Sequence, residues 1–257
     1  MATQLFHRHW GADGPPIVMI HGLFGSMENL GMITRLLKDE YSVYALDLPN
    51  HGRSPHAERT SLATMAAAIV TWMDAVGLKE ASFLGHSLGG KVGMEIALRY
   101  PQRVNRLIVA DIAPVRYSRR HDDVFAAFQA VDLATIASRA EADAVMKTHV
   151  AECSTRRFLL KNLERRQDQW QWRINLRGLV EDYDAFIVAN TKDYPAYDKP
   201  VLFIKGELSS YILPEHRDAI LNLFPSATVK VIKGTEHWLH AEKPDIFTGI
   251  AKRFLAA

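Results

Sequence analysis

Ser87 stands at the centre of Gly85-His86-Ser87-Leu88-Gly89, a G-x-S-x-G pattern whose chemistry would be nucleophilic acyl transfer. The pentapeptide alone is weak, because three fixed positions drawn from common residues recur by chance in about one chain in ten of this length. Its setting gives it weight: a strand-like run at 81–84 leads in, and a helix-like run from Gly90 leads out. Such a turn strains the backbone at the serine and pushes the hydroxyl outward, so the flanking residues must be small. Gly85 and Gly89 meet that need, while Gly90 and Gly93 let the following helix approach a sheet closely. Four glycines in nine residues make a poor helix start, so packing or function has to compensate.

A serine hydroxyl needs a base nearby. Of the 11 histidines, His237 is the strongest candidate, because it follows the last strand-like run through Gly234-Thr235-Glu236. That places it at the carboxyl edge of a sheet, where Ser87 also emerges and where open α/β sheets carry their sites. His240 lies three residues on, but no third ligand of suitable spacing accompanies the pair, so no metal is expected. The base requires an acid to hold its tautomer. Asp111 ends the strand after the serine helix and is preferred, since an aspartate abutting an apolar strand must be paired to tolerate burial; capping of the next turn is the bland alternative. Glu207, after the next strand in Lys205-Gly206-Glu207-Leu208-Ser209, is the alternative acid. The oxyanion would be met by the backbone N–H groups of Leu88, at a helix start, and Leu23, in His21-Gly22-Leu23-Phe24-Gly25. The side chains of Leu23, Phe24 and Leu88 would then line the acyl pocket.

The elements that position these residues are visible as short apolar runs at 17–20, 42–46, 81–84, 106–110, 201–204 and 228–232, expected as buried strands. Residues 4–10 are a possible edge strand. Between the runs, Leu62, Met65, Ala66, Ile69, Val70, Met73 and Val76 share one helical face. Pro244 opens a last helix with a stripe of Ile246, Phe247, Ile250, Ala251 and Phe254. The alternation predicts an α/β fold with a mostly parallel central sheet covered by helices on both faces.

Residues 115–195 break the rhythm, with helical patterns (Phe125, Phe128 and Val131; Phe158, Leu159 and Leu163) and no strong strand candidate. The stretch is too long for an ordinary loop. It reads as a helical lid inserted into a core formed by 1–114 and 196–257. Arg156, Arg157, Lys161, Arg165 and Arg166 with Trp170 and Trp172 are read as a solvated face, or else as a positive rim for an acidic leaving group such as coenzyme A. A lid interface for another protein would require an exposed Phe125/Phe128 stripe.

With 257 residues, 48% hydrophobic and 23% charged, the composition is globular. A formal charge of +2 speaks against nucleic-acid binding. Cys153 is the single cysteine, so an internal disulfide is excluded and a reducing compartment fits. Residues 1–9 lack the apolar core of a signal peptide, and no run approaches the roughly 20 residues of a membrane span. A soluble, cytoplasmic protein is expected.

Taken together, His21-Gly22, Asp47-Leu48-Pro49-Asn50-His51-Gly52-Arg53-Ser54, the Ser87 elbow and His237 with Glu242 and Pro244 resemble the α/β-hydrolase superfamily. Asn50-His51-Gly52-Arg53-Ser54 with Asp111-Ile112-Ala113-Pro114 is more narrowly similar to the small YbfF-type and ABHD11-type serine esterases. The resemblance implies Ser87 as nucleophile, His237 as base and Asp111 as acid, acting on acyl esters or acyl-CoA thioesters without metal or organic cofactor. One departure is that Ser209 occupies the place where many members carry the acid after the penultimate strand. Acyl transfer to an acceptor other than water, or ligand binding without catalysis, are the other readings of such a chain.

Overall fold

The computed structural model describes residues 4–11 and 13–257, so residues 1–3 of the amino-terminal stretch lie outside the described residues. Among the described residues nine strands occur in chain order: β1 (His7–Trp10), β2 (Pro16–Ile20), β3 (Ser42–Leu46), β4 (Ala81–His86), β5 (Val104–Ala110), β6 (Leu163–Arg166), β7 (Gln169–Trp172), β8 (Val201–Gly206) and β9 (Ala227–Ile232). The helices are α1 (Gly31–Leu37), α2 (Leu62–Ala75), α3 (Leu88–Arg99), α4 (Asp122–Ala130), α5 (Arg139–Met146), α6 (Cys153–Leu159), α7 (Leu176–Glu181), α8 (Tyr183–Phe186), α9 (Arg217–Leu223), α10 (Leu239–Glu242) and α11 (Pro244–Ala256).

Seven strands form one sheet in the order β1-β3-β2-β4-β5-β8-β9. Only β1 runs antiparallel to its neighbour, with His7 opposite Leu46. The parallel strands are apolar because helices cover both faces, leaving neither face for polar residues. Val18, Ile20, Phe83 and Val109 pack into one core layer, and Ile17, Met19, Leu84 and Ile108 into the other. The order reverses at β2/β4, the place where open α/β sheets leave a crevice beyond the carboxyl ends.

Helix α2 buries Leu62, Met65, Ala66, Ile69 and Met73, and Ser61 caps it by accepting from the Thr64 N–H. In α11, Phe247 and Ala251 are buried, but Ile246 is 53% exposed and does not belong to the inner stripe. The run at 228–232 forms β9, yet Val229 and Val231 are exposed rather than buried, because β9 is the last strand of the sheet.

Between β5 and β8 the chain forms α4 to α8 and an antiparallel hairpin of β6 and β7, with Leu163 opposite Trp172. This hairpin corrects the all-helical reading: Leu163 lies on a strand rather than a helical face, and so do Arg165, Arg166, Trp170 and Trp172. Gln167 and Asp168 make its turn, both with positive φ (48° and 62°). Phe125 and Phe128 are buried, their rings 5.2 and 5.3 Å from Phe24. An exposed stripe for a partner protein is therefore absent there. Among the described residues no helix is long and apolar enough to cross a membrane.

Candidate active site

Sheet register gathers the polar strand ends. Ile20 pairs with Gly85, His86 with Ala110, and Ala110 with Ile204, so His21, Ser87, Asp111 and Glu207 leave the sheet close to one edge. Hydrogen bonds extend the ladder past the strands: Ser87 N–H donates to Ala110 O (2.9 Å) and Asp111 N–H to Ile204 O (2.9 Å). Ser87 has φ 53° and ψ −118°, a left-handed backbone that costs a non-glycine residue about 1–3 kcal/mol. The turn is possible only because its neighbours lack side chains. A Cβ on Gly85 would stand 2.2 Å from Gly89 O, and one on Gly89 would stand 2.2 Å from Ile20 O.

Asp111 is wholly buried and also left-handed, with φ 53°. Its Oδ2 accepts from His237 Nδ1 at 2.7 Å, and its Oδ1 accepts from the Gly206 N–H at 3.1 Å. The Ser209 hydroxyl also donates to Oδ2. Three donors satisfy a carboxylate that has been removed from water. Glu207 turns elsewhere: its Oε2 accepts from the Gly234 N–H at 2.8 Å, at an exposed position. Ser209 thus anchors the Asp111 carboxylate, a contact that its sequence position hinted at only by departing from the usual pattern.

The His237 ring is 25% exposed and stacked on Tyr211, with centroids 4.0 Å apart and planes 22° from parallel. Tyr211 is fixed in turn by the Tyr117 hydroxyl, which donates to Tyr211 O and accepts from the Ala113 N–H. The backbone of His237 is held from the other side, where His86 Nε2 meets His237 O at 2.9 Å. Nothing in local sequence marks Tyr211 or Tyr117, whose contacts depend on the fold.

Ser87 and His237 line one cavity of about 410 Å³, together with Leu23, Phe24, His121, Phe158 and Trp238. Leu88 and Leu23 line a second, smaller cavity that also reaches Ser87. Leu88 is the first residue of α3, so its N–H is one of those left without a partner inside the helix. Phe24, with φ 60°, packs its ring among Phe125, Phe128 and His121.

The other histidines near the edge are held neutral. Burial brings His21 down to about 4; its Nδ1 donates to Gly22 O (2.8 Å), and its Nε2 accepts from the Leu48 N–H (3.0 Å). His21 therefore braces two loops. Burial also brings His51 and His240 to about 3 and His121 to about 4, and pushes His86 well below its ordinary value. His240 is buried against His86, with centroids 4.4 Å apart. Among the described residues no group of three or more His, Cys, Asp or Glu is placed to hold a metal ion.

The basic residues of the inserted segment do not form one rim. Arg156 is buried in an ion pair with Asp143 (2.8 Å), and Arg165 borders a separate groove on the hairpin. Of the five, Lys161 lines the cavity that holds Ser87.

The sheet order and the strained turn at Ser87 are those of an α/β hydrolase, and residues 15–244 match the family described as alpha/beta hydrolase fold. The chain belongs to that family. It is 39% identical over 244 residues to the protein named Esterase YbfF of Escherichia coli (strain K12), covering 95% of this chain and 94% of that one. It is 36% identical over 255 residues to sn-1-specific diacylglycerol lipase ABHD11 of Danio rerio, covering 95% of this chain and 79% of the relative. A solved structure described as a marine microorganism esterase superposes with a TM-score of 0.96 at 36% identity, covering 98% of this chain and 99% of the other.

Proposed function

We propose that the protein is a serine hydrolase of carboxylic esters with small or medium acyl groups. The observation that carries this reading is the 2.7 Å contact of His237 with buried Asp111, on the wall of the cavity that Ser87 also lines. The names of the relatives, esterase and diacylglycerol lipase, agree with ester cleavage. Ser87 Oγ attacks the carbonyl carbon while His237 Nε2 takes its proton. The N–H groups of Leu23 and Leu88 hold the oxyanion, and His237 returns the proton to the leaving oxygen. Water, deprotonated by the same imidazole, then attacks the acyl-enzyme and releases the acid. Asp111 remains ionised and keeps the Nδ1 proton of His237 in place. Phe24, Leu23 and Leu88 form the substrate pocket, Glu207 takes no part, and no metal or organic cofactor enters the cycle. Residues 115–195 act as the lid of a core made of 1–114 and 196–257, and the protein works in the cytoplasm.

Lys161 at the cavity supports a second reading, an acyl-CoA thioesterase, because its ammonium would meet an anionic leaving group. The test is hydrolysis of matched oxyesters and acyl-CoA thioesters, with Ser87→Ala as blank and a fluorophosphonate as covalent probe. Turnover and labelling should both vanish in the variant. Stoichiometric labelling that survives in Ser87→Ala would remove Ser87 as the nucleophile, and a higher kcat/KM for thioesters would select the second reading.

A further inference from the structure

The inserted segment reaches the loop after β2 through one buried side chain. Asn162 ends a turn of 3₁₀ helix, Leu160–Asn162, between α6 and β6, and is 4% exposed. Its Nδ2 donates to Phe24 O at 2.8 Å and to Leu159 O at 3.1 Å. Carbonyl oxygens accept only from donors, so the amide is fixed with its NH2 group toward Phe24. The chain on either side of Asn162 is held in turn. Arg139 forks onto the carbonyls of Leu160 and Leu163, and the Arg173 N–H donates to Asn162 O at 2.8 Å.

We infer that Asn162 is a positioning residue for the reaction: by holding the Phe24 carbonyl it fixes the turn that presents the Leu23 N–H to the oxyanion. The inference rests on the reading of Ser87 as nucleophile and Leu23 as oxyanion donor. The Gly25 N–H donates to Gly22 O at 3.0 Å, closing a turn with Leu23 and Phe24 at its centre. Phe24 takes φ 60°, the left-handed backbone that a type II turn requires at its third residue and that glycine adopts without strain. The peptide unit from Phe24 to Gly25 has both polar groups engaged, its N–H on Gly22 and its carbonyl on Asn162.

Among the described residues no other donor meets Phe24 O. Phe24 is buried, so loss of the Asn162 amide leaves a carbonyl without a partner at a strained residue. Re-orienting the turn relieves both, and it displaces the Leu23 N–H that the turn carries. The ring of Phe24 is gripped by the same inserted segment, at Phe125 and Phe128 of α4. The oxyanion site is thus completed by a residue 138 positions from Phe24, and only while the inserted segment is docked.

The test compares wild type with Asn162→Leu, which keeps the size of the side chain and removes its donor. Active sites are counted by fluorophosphonate labelling taken to completion, and kcat and KM are measured with one short-chain ester. Inhibition is measured for a trifluoromethyl ketone, whose carbonyl becomes a tetrahedral oxyanion when Ser87 Oγ adds to it, and for the matching carboxamide, which stays planar. Removing an oxyanion donor outright costs about 10²–10³ in kcat, so a displaced one should lower kcat per labelled site at least about tenfold. KM and carboxamide inhibition should move less than about threefold, while ketone inhibition weakens in step with kcat. Should Asn162→Leu fail to fold, Arg139→Lys replaces it, since lysine keeps the charge and loses the fork on Leu160 and Leu163. It should lower kcat per site at least about threefold, with the same split between the two inhibitors. A folded variant with wild-type kcat would overturn the inference, as would a loss confined to KM or an equal weakening of both inhibitors. Absence of Ser87-dependent labelling in the wild-type protein has a different meaning: it removes the underlying reading, and the inference with it.

Discussion

Replacing Asp111 by asparagine preserves shape and removes one charge, and the surrounding hydrogen bonds dictate the consequence. Asp111 Oδ1 accepts from the Gly206 N–H at 3.1 Å, and a backbone N–H has no other role to take. The asparagine must therefore keep its carbonyl oxygen there, which puts its NH2 group where Oδ2 was. That NH2 faces Ser209 Oγ and His237 Nδ1, at the place where a carboxylate oxygen had accepted from both. The Ser209 hydroxyl can rotate to accept. His237 can accept only by moving its proton from Nδ1 to Nε2, the nitrogen that takes the proton of Ser87 in the proposed cycle. A triad locked in the wrong tautomer loses about 10⁴ in kcat, which is about 5.4 kcal/mol at 1.36 kcal/mol per decade.

KM should change less than about threefold, because Asp111 is wholly buried and lines neither cavity. The melting temperature should stay within a few degrees, since every partner keeps a hydrogen bond. The assay is steady-state hydrolysis of a short-chain ester by wild type, Asp111→Asn and Glu207→Gln, with circular dichroism to check folding. Glu207→Gln should retain wild-type kcat within about threefold, since a glutamine carbonyl can still accept from the Gly234 N–H. A folded Asp111→Asn protein that keeps more than a tenth of wild-type kcat would refute the tautomer mechanism. A collapse produced by Glu207→Gln instead would refute it equally.

Two further outcomes concern stability. Ser87→Gly should abolish turnover yet melt about 2–4 °C higher, because glycine adopts φ 53° without strain, and a net gain of about 1 kcal/mol has that effect in a chain of this size; a lower melting temperature would show that the elbow is not strained. Burial brings the Lys91 ammonium from 10.5 down to about 7 in the folded protein. The unfolded chain then binds more protons between pH 7 and 10.5, so wild-type stability should rise with pH across that window relative to Lys91→Met, by up to about 1.4 kcal/mol per unit. Urea midpoints of the two proteins at pH 7 and pH 9 measure this, and an unchanged difference would mean that the lysine titrates as if exposed.

The residues that the sequence reveals and those it conceals differ in what determines them. His21, Asp47, Ser87 and Asp111 each follow an apolar run, and a parallel strand buried on both faces must end where its first polar group meets the crevice. Their gathering is then a consequence of parallel register, which sequence order alone supports. Ser209 and Tyr211 follow no such rule. Ser209 meets Asp111 across 98 positions, and Tyr211 stacks on His237 through a loop whose path is set by Tyr117. The hairpin of β6 and β7 is hidden for a local reason: a two-residue turn needs left-handed backbone at both positions, usually announced by Asn-Gly, and here Gln167 and Asp168 fill it. The alternation of Trp170 and Trp172 with glutamines is the remaining signal. Exposed Val229 and Val231 mark another limit, since an apolar strand does not declare whether a neighbour lies beyond it.

Backbone strain is distributed with a purpose. Among the described residues, six non-glycine positions have positive φ: Phe24, Asn50, Ser87, Asp111 and the two hairpin-turn residues. Propensity would place glycine at each of them. At the turn the strain has a local use, whereas the other four lie in the loops at the carboxyl edge of the sheet. Ser87 and Asp111 both take φ 53° immediately after a strand, at the ends of β4 and β5. Retaining a side chain at such a position costs stability that a glycine would recover. The cost is explained if the side chain is needed there, and strain of this kind points from structure to function rather than the reverse. Asn50 meets the same condition without touching a reacting group: its Oδ1 accepts from the Ala57 N–H and from Asn175 Nδ2. It joins the loop after β3 to the start of α7, so the strained Asn50 ties the inserted segment to the sheet edge that also carries Ser87 and Asp111.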